Sequence, residues 1–399
     1  SGTSNPQIRF GEDLMSRVSY VMMNPEGREG MTRAVREAIN GLIDKVCAQG
    51  EIERADILDA VFVGNPIMHH LFLGIDPTEL GGAPFALAVS GAVNVKSSEI
   101  DLPLNKGARV YMLPCIAGHV GADAAAATLT EGPHRQDEMM LLVDVGTNAE
   151  IVLGNATRTV AASSPTGPAF EGAEISCGQR AAPGAIERIR IDPETLEPRY
   201  RVIGIEPWSD EPGFDEAAKK VGVTGVCGSG IIEIIAEMYL AGIITEDGVI
   251  NGDLAARSPR ITTNGRTFSY MLRDGEQKLM VTQTDVRAIQ LAKAALYAGV
   301  KLLMDKQNID HVDRIGLAGA FGSFIDPKYA LVLVPECDLE KVKAVGNPAG
   351  TGARMALLNR AHRREIEQTV TRIEKIETAL EPKFQEHFVN AMAFPNKID

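Results

Sequence analysis

The chain has 399 residues, 45% of them hydrophobic and 23% charged, with a formal net charge of −13. That length suits two domains and the composition is that of a globular protein with sizeable cores. The acidic balance without a basic stripe argues against a nucleic-acid partner and an anionic membrane; no apolar run approaches the ~18 residues of a membrane span.

The opening SGTSNPQIRFGED does not read as a signal peptide, and five scattered cysteines suit a reducing cytoplasm, the expected location. Cys47, Cys115, Cys177, Cys227 and Cys337 are scattered and form no CxxC pair. This spacing excludes a sequence-local zinc ribbon or ferredoxin motif and suits a reducing compartment.

In chain order, MTRAVREAINGLIDKVCAQG (31–50) has helical apolar spacing, with Gly50 as its expected stop. LDAVFVGNP (58–66) reads as a buried strand and a turn, and IMHHLFLGI (67–75) as the start of a helix. Adjacent His69 and His70 point apart on a helix, whereas a metal pair prefers i,i+4 spacing, so they read as ordinary helix residues. VYMLPCIAGHVGADAAAATLTEG (110–132) is a strand, a Gly-rich turn and an Ala-rich helix. Asp123 there is either a helix cap or a buried carboxylate with a function.

LLVDVGTNAEIVLGN (141–155) is a hairpin whose first strand ends in Asp144. SSPTGPAFEGAEISCG (163–178) is a long Gly, Pro and Ser-rich loop, a kind that is usually functional inside a domain. Residues 193–224, with the single Trp208, read as a peripheral hairpin region. GVCGSG opens an apolar helix at 225–244, and 281–309 is a long helix with a Thr-Asp start. Residues 313–334 read as strand, Gly-rich turn and helix, and 344–380 as a turn and one final long helix. The class is mixed α/β, without the fingerprint of a Walker A loop or a dinucleotide Rossmann turn.

Glycine turns at 225–230, 316–323 and 346–352 each place backbone N–H groups at a helix start, an arrangement suited to phosphate, although each alone more often serves close packing. The hairpin adds a carboxylate. Asp144 at the sheet rim, beside the N–H and hydroxyl groups of Gly146 and Thr147, is coherent as a Mg²⁺–phosphate clamp. The same residues also suit a plain solvent-facing turn.

The order of these motifs resembles the acetate and sugar kinase, Hsc70 and actin superfamily, in which two RNase H-like domains flank a nucleotide cleft. More closely, NPQIRFGEDLMSRV (5–18), GNPIMHHLFLGI (64–75), PCIAGHVGAD (114–123), DVGTNAEIVLGN (144–155), GPAFEGAEISCG (167–178), GVCGSGIIEII (225–235) and VGNPAGTGARMALL (345–358) resemble the C-terminal ATPase region of reductive activators of corrinoid proteins. The resemblance implies a first actin-like domain over 1–135, truncated before its first phosphate loop. It implies a second domain over 136–349 and a closing helix and tail over 350–399 that pack back on the first.

It further implies ATP and Mg²⁺ as cofactors, with a [2Fe–2S] cluster only in an upstream domain absent from this chain. Asp144 would hold the metal; Gly146, Thr147 and Asn148 would bind phosphate; Gly228 and Gly230 would line the same cleft. Gly319, Ala320 and Gly322 would approach the nucleoside, and Asp123 or Glu171 would orient the attacking water. The implied activity is ATP-driven reduction of Co(II) to Co(I) in a corrinoid protein or corrinoid-dependent methyltransferase, by a homodimer. The alternatives are a non-catalytic dimerisation and docking scaffold, or a small-molecule kinase on the same fold.

Overall fold

The computed structural model describes residues 1–11, 13–275, 277–319, 326–330 and 337–394. The chain divides into two compact units, one of Ser1–Asp137, Gly154–Ala162 and Asn347–Ile376, the other of Glu138–Leu153, Ser163–Gly346 and Glu377–Asp399.

In the first unit, strand Asp59–Phe62 pairs in parallel with Arg109–Met112, which pairs antiparallel with Val93–Lys96. Phe72, Ile100, Leu102, Val110 and Met112 form one apolar core beside this sheet. Val18, Val21, Met31, Ile67, Leu71 and Leu80 form a second among the helices Leu14–Met23, Gly27–Gly50 and Pro66–Leu73. Its middle helix ends at Gly50, as expected, and the left-handed residue that follows as its cap is Glu51, at φ 52°. His69 and His70 both lie in the short helix and are buried, and burial lowers the His69 imidazole to about 4.

The Ala-rich helix Ala122–Glu131 is almost wholly buried. Its small side chains allow very close packing against helix Pro348–Leu358, where a Cβ on Gly352 would lie 2.2 Å from the Ala126 carbonyl oxygen. Thr130 Oγ1 donates to the Pro348 carbonyl at 2.7 Å at the same contact. The expected single closing helix is broken. Asn359 takes an extended conformation, ends Pro348–Leu358, and caps a second helix, Arg360–Val370, by accepting from the Ala361 N–H at 2.9 Å. Asn at a cap competes with the helical backbone for hydrogen bonds, and here it interrupts an apolar periodicity that otherwise runs on.

The second unit holds a sheet in the order Val342–Gly346, Arg314–Ala318, Met140–Val145, Ala149–Gly154. Met140–Val143 is fully buried, as a central strand covered on both faces requires. Register pairs Leu317 with Val143 and Ala318 with Asp144, so two parallel strands end side by side. Strands Ala185–Ile191 and Pro198–Val202 form an antiparallel pair, and Ala185–Ile191 also pairs in parallel with Gly225–Val226. Ile261–Asn264, Thr267–Arg273 and Leu279–Thr282 form an antiparallel meander leading into the long helix Gln283–Gln307.

The tail returns to that long helix. Gln290 Nε2 donates to the Met392 carbonyl at 2.9 Å, and buried Lys293 donates to the Ala393 carbonyl with its ammonium 5.0 Å from the Phe394 ring. Among the described residues, no helix is long and apolar enough to cross a membrane.

Gly352→Val is expected to lower unfolding free energy by at least about 2 kcal/mol, because backbone rather than a flexible side chain blocks the new methyl groups; urea denaturation measures it. Burial depresses Lys293 to about 7 from 10.5. The unfolded chain therefore binds the extra proton between those values, and stability rises with pH across that window. Lys293→Met is expected to remove this rise, read as a smaller change in urea midpoint between neutral and alkaline pH than in the wild type.

Candidate functional site

The site grows from the end of the central strand. Gly146 N–H donates to the Asn148 carbonyl at 3.1 Å, closing the hairpin turn. Thr166 Oγ1 donates to the carbonyls of Gly146 and Thr147 at 2.9 and 3.1 Å, which ties the turn to the following loop. Thr147 Oγ1 donates to Glu171 Oε1 at 2.8 Å, so this hydroxyl and carboxylate from the predicted set are in direct contact.

Gly319 leaves the neighbouring strand at φ +91° and passes over Asp144. A Cβ there would sit 2.5 Å from Asp144 Oδ1 and 3.1 Å from the Val145 carbonyl oxygen, so both the conformation and the space require glycine. Ala320 and Gly322 lie outside the described residues.

A third element converges from Gly228–Leu240. Its N-cap, Cys227, makes no side-chain capping bond, and the first turn of a helix carries unsatisfied N–H groups and partial positive charge. Gly228 and Ser229 line a cavity of about 740 Å³ together with Val145, Gly146 and Glu171. That volume suits a nucleotide-sized ligand. Gly230 faces the other way: a Cβ on it would meet the Ile186 carbonyl oxygen at 2.6 Å, so it seats the helix on the sheet.

Several residues of this region escaped the sequence reading. Gln179 and Arg180 line the same cavity, and Arg180 supplies a cation to it. They directly follow the predicted loop, which was the available signal. Asp285 is buried at the start of the long helix, where it accepts from Ser176 N–H at 2.8 Å, Ser176 Oγ at 3.0 Å and Thr282 N–H at 2.8 Å. It thereby caps its own helix and holds the loop.

Buried Glu233 accepts from Arg188 and Arg190 at 2.7 Å each and from Ile189 N–H at 2.9 Å. Glu237 accepts from Ile191 N–H at 2.8 Å and from the Tyr329 hydroxyl. Desolvation, then this contact, raises the Tyr329 phenol above its ordinary value. These pairings carry buried charge on the helix whose N-terminus opens on the cavity.

Asp123 belongs to the first unit. It is not the helix cap, which is Gly121; its Oδ1 accepts from Ala124 N–H at 2.9 Å. Burial raises its pKa above the ordinary carboxylate range. Burial, followed by the charge of a nearby aspartate, pushes the thiols of Cys115 and Cys177 up to about 12. They are protonated core thiols at neutral pH.

The RACo middle region matches residues 1–136, and the C-terminal domain of RACo, the ASKHA domain, matches residues 138–399. The chain belongs to the RACo family. It is 36% identical to the corrinoid activation enzyme RamQ of Eubacterium limosum, over 99% of this chain and 66% of that protein. It is 26% identical to a [Co(II) methylated amine-specific corrinoid protein] reductase of Methanosarcina barkeri, over 91% of this chain and 66% of that protein.

A solved reductive activator for corrinoid, iron–sulfur protein superposes with a TM-score of 0.84 at 34% identity, covering 99% of this chain and 62% of that one. The chain thus spans about two thirds of the length of these RACo relatives. Residues 138–399 carry the ASKHA fold expected from the motif order.

Asp285→Ala is expected to lower stability by about 2 kcal/mol, through loss of a cap and of buried hydrogen bonds. It should also speed tryptic cleavage after Arg180; an unchanged cleavage rate would show that Asp285 does not restrain the loop.

Proposed function

We propose that this chain is the nucleotide-binding module of a reductive activator. In its full-length form that activator uses ATP hydrolysis to drive an electron onto the Co(II) of a corrinoid protein or corrinoid-dependent methyltransferase. The supporting observation is the convergence on one cavity of the Gly146 turn and the uncapped start of Gly228–Leu240, with Asp144 packed under Gly319 at its strand end. Membership of the RACo family gives that cavity its reading.

The residues present fit Mg-ATP. Mg²⁺ is held through one or two carboxylates, waters and phosphate oxygens rather than by a protein cage. Asp144 supplies such a carboxylate, and among the described residues no group of three or more His, Cys, Asp or Glu side chains forms a cage. The bound metal would neutralise phosphate charge. In this reading Gly146, Thr147 and Asn148 orient phosphate oxygens, and the dipole end at Gly228 and Ser229 favours the same anion.

Glu171, fixed by the Thr147 hydroxyl and lining the cavity, is positioned to accept a proton from an attacking water. Asp123, the other carboxylate expected in that role, belongs to the first unit and is not among the residues that line this cavity. Each ~59 mV of uphill one-electron transfer costs about 1.4 kcal/mol, and hydrolysis coupled to a conformational change would supply it.

In the full-length protein, Mg-ATP is expected to raise the melting temperature. Asp144→Ala should abolish that shift and lower phosphate release by on the order of 100-fold. Intact turnover in this variant would sink the metal assignment. Accumulation of a phosphorylated small molecule would sink the activator reading in favour of a kinase.

A further inference from the structure

The first unit contains a separate pocket of about 480 Å³ between its three-stranded sheet and helix Arg360–Val370. In a chain of net charge −13, four arginines line it: Arg109, Arg360, Arg363 and Arg364. Two are preorganised. Arg109 is oriented by Asn94, donating from Nε to Oδ1 at 2.9 Å and from Nη2 to the carbonyl at 3.1 Å. Arg363 donates from Nε to the Ala356 carbonyl at 2.7 Å and from Nη2 to Asp59 Oδ2 at 2.6 Å, and its guanidinium stacks 4.6 Å from the Tyr111 ring. A guanidinium has five N–H donors, so each keeps donors for a ligand.

Arg360 and Arg364 are exposed and have no hydrogen-bond or ion-pair partner among the described residues. They stand at i and i+4, the spacing at which like charges repel. The helix also has no acidic residue in its first turn, the end where its dipole favours anions and disfavours cations. Three arginines near that end are therefore locally unfavourable, and an anion bound among them would relieve both effects.

Each of the pocket's two carboxylates has one partner, Asp59 Oδ2 in Arg363 and Glu367 Oε1 in the Tyr111 hydroxyl at 2.6 Å, while Asp59 Oδ1 is buried without one. Four arginines against two carboxylates leave two positive charges. We propose that this pocket is a binding site for a small dianion, an organic phosphate or a dicarboxylate, gripped by the forks of Arg109 and Arg363 and enclosed by Arg360 and Arg364. It lies wholly within the first unit and does not depend on the nucleotide reading of the second.

Isothermal titration of the chain at low ionic strength with inorganic pyrophosphate, and in parallel with succinate, tests it. Binding of either probe, weakened at least tenfold in Arg360→Ala/Arg364→Ala and within twofold of wild type in Arg180→Ala, supports the site and identifies phosphate or carboxylate as its chemistry. Both substituted arginines of the double variant are exposed, so folding should survive; its circular dichroism is checked first. Absence of binding by both probes, affinity within twofold in the double variant, or loss in Arg180→Ala overturns the proposal.

Discussion

The close approach of Gly319 to Asp144 is the constraint on which the candidate site depends. Parallel pairing of Ala318 with Asp144 brings two strands to the same rim of the sheet. The chain leaving one of them must pass over a carboxylate with only 2.5 Å available for a side-chain carbon. Glycine in the left-handed region satisfies both demands. The approach holds Asp144 at the strand end, which sets where the Gly146 turn begins and therefore which wall of the cavity it forms.

Around this point the site is built from buried charge that is paired rather than exposed. Glu233 and Glu237 carry carboxylates into the second unit's interior and meet arginines, backbone N–H groups and a phenol there. Ion pairs of this kind add little net stability over an apolar core, but breaking one leaves a charge uncompensated. Their effect is to hold the orientation of strand Ala185–Ile191 against helix Gly228–Leu240, and hence the direction in which that helix's N-terminus faces. Asp285 does the same for the long loop, joining Ser176 to a helix more than a hundred residues later. The first unit shows the opposite economy in its arginine pocket, where positive charge gathers at a helix end that its own dipole disfavours.

Much of this was legible in the residues. The hairpin, the Ala-rich helix, the long capped helix and the helix starts at Gly228 and Pro348 follow from local periodicity and turn chemistry, which act over a few neighbours. Asn359 marks the limit of that reading. A single residue that can cap as well as continue a helix breaks a segment whose apolar pattern runs on. Gly230 marks another. Its spacing in GVCGSG suits a ligand turn, yet its missing side chain makes room for the Ile186 carbonyl instead.

The α/β class, the motif order that leads to the ASKHA fold, and Asp144 with its turn could be read from the residues alone, because strand ends and tight turns are written in adjacent residues. Long-range packing sets the rest: Gly228 but not Gly230 lines the cavity, Thr147 holds Glu171, Arg180 joins the lining, and Asp285 holds the loop beside it. Those assignments depend on which face of each element meets which neighbour. Contacts between residues far apart in the chain settle that, and no local pattern encodes them.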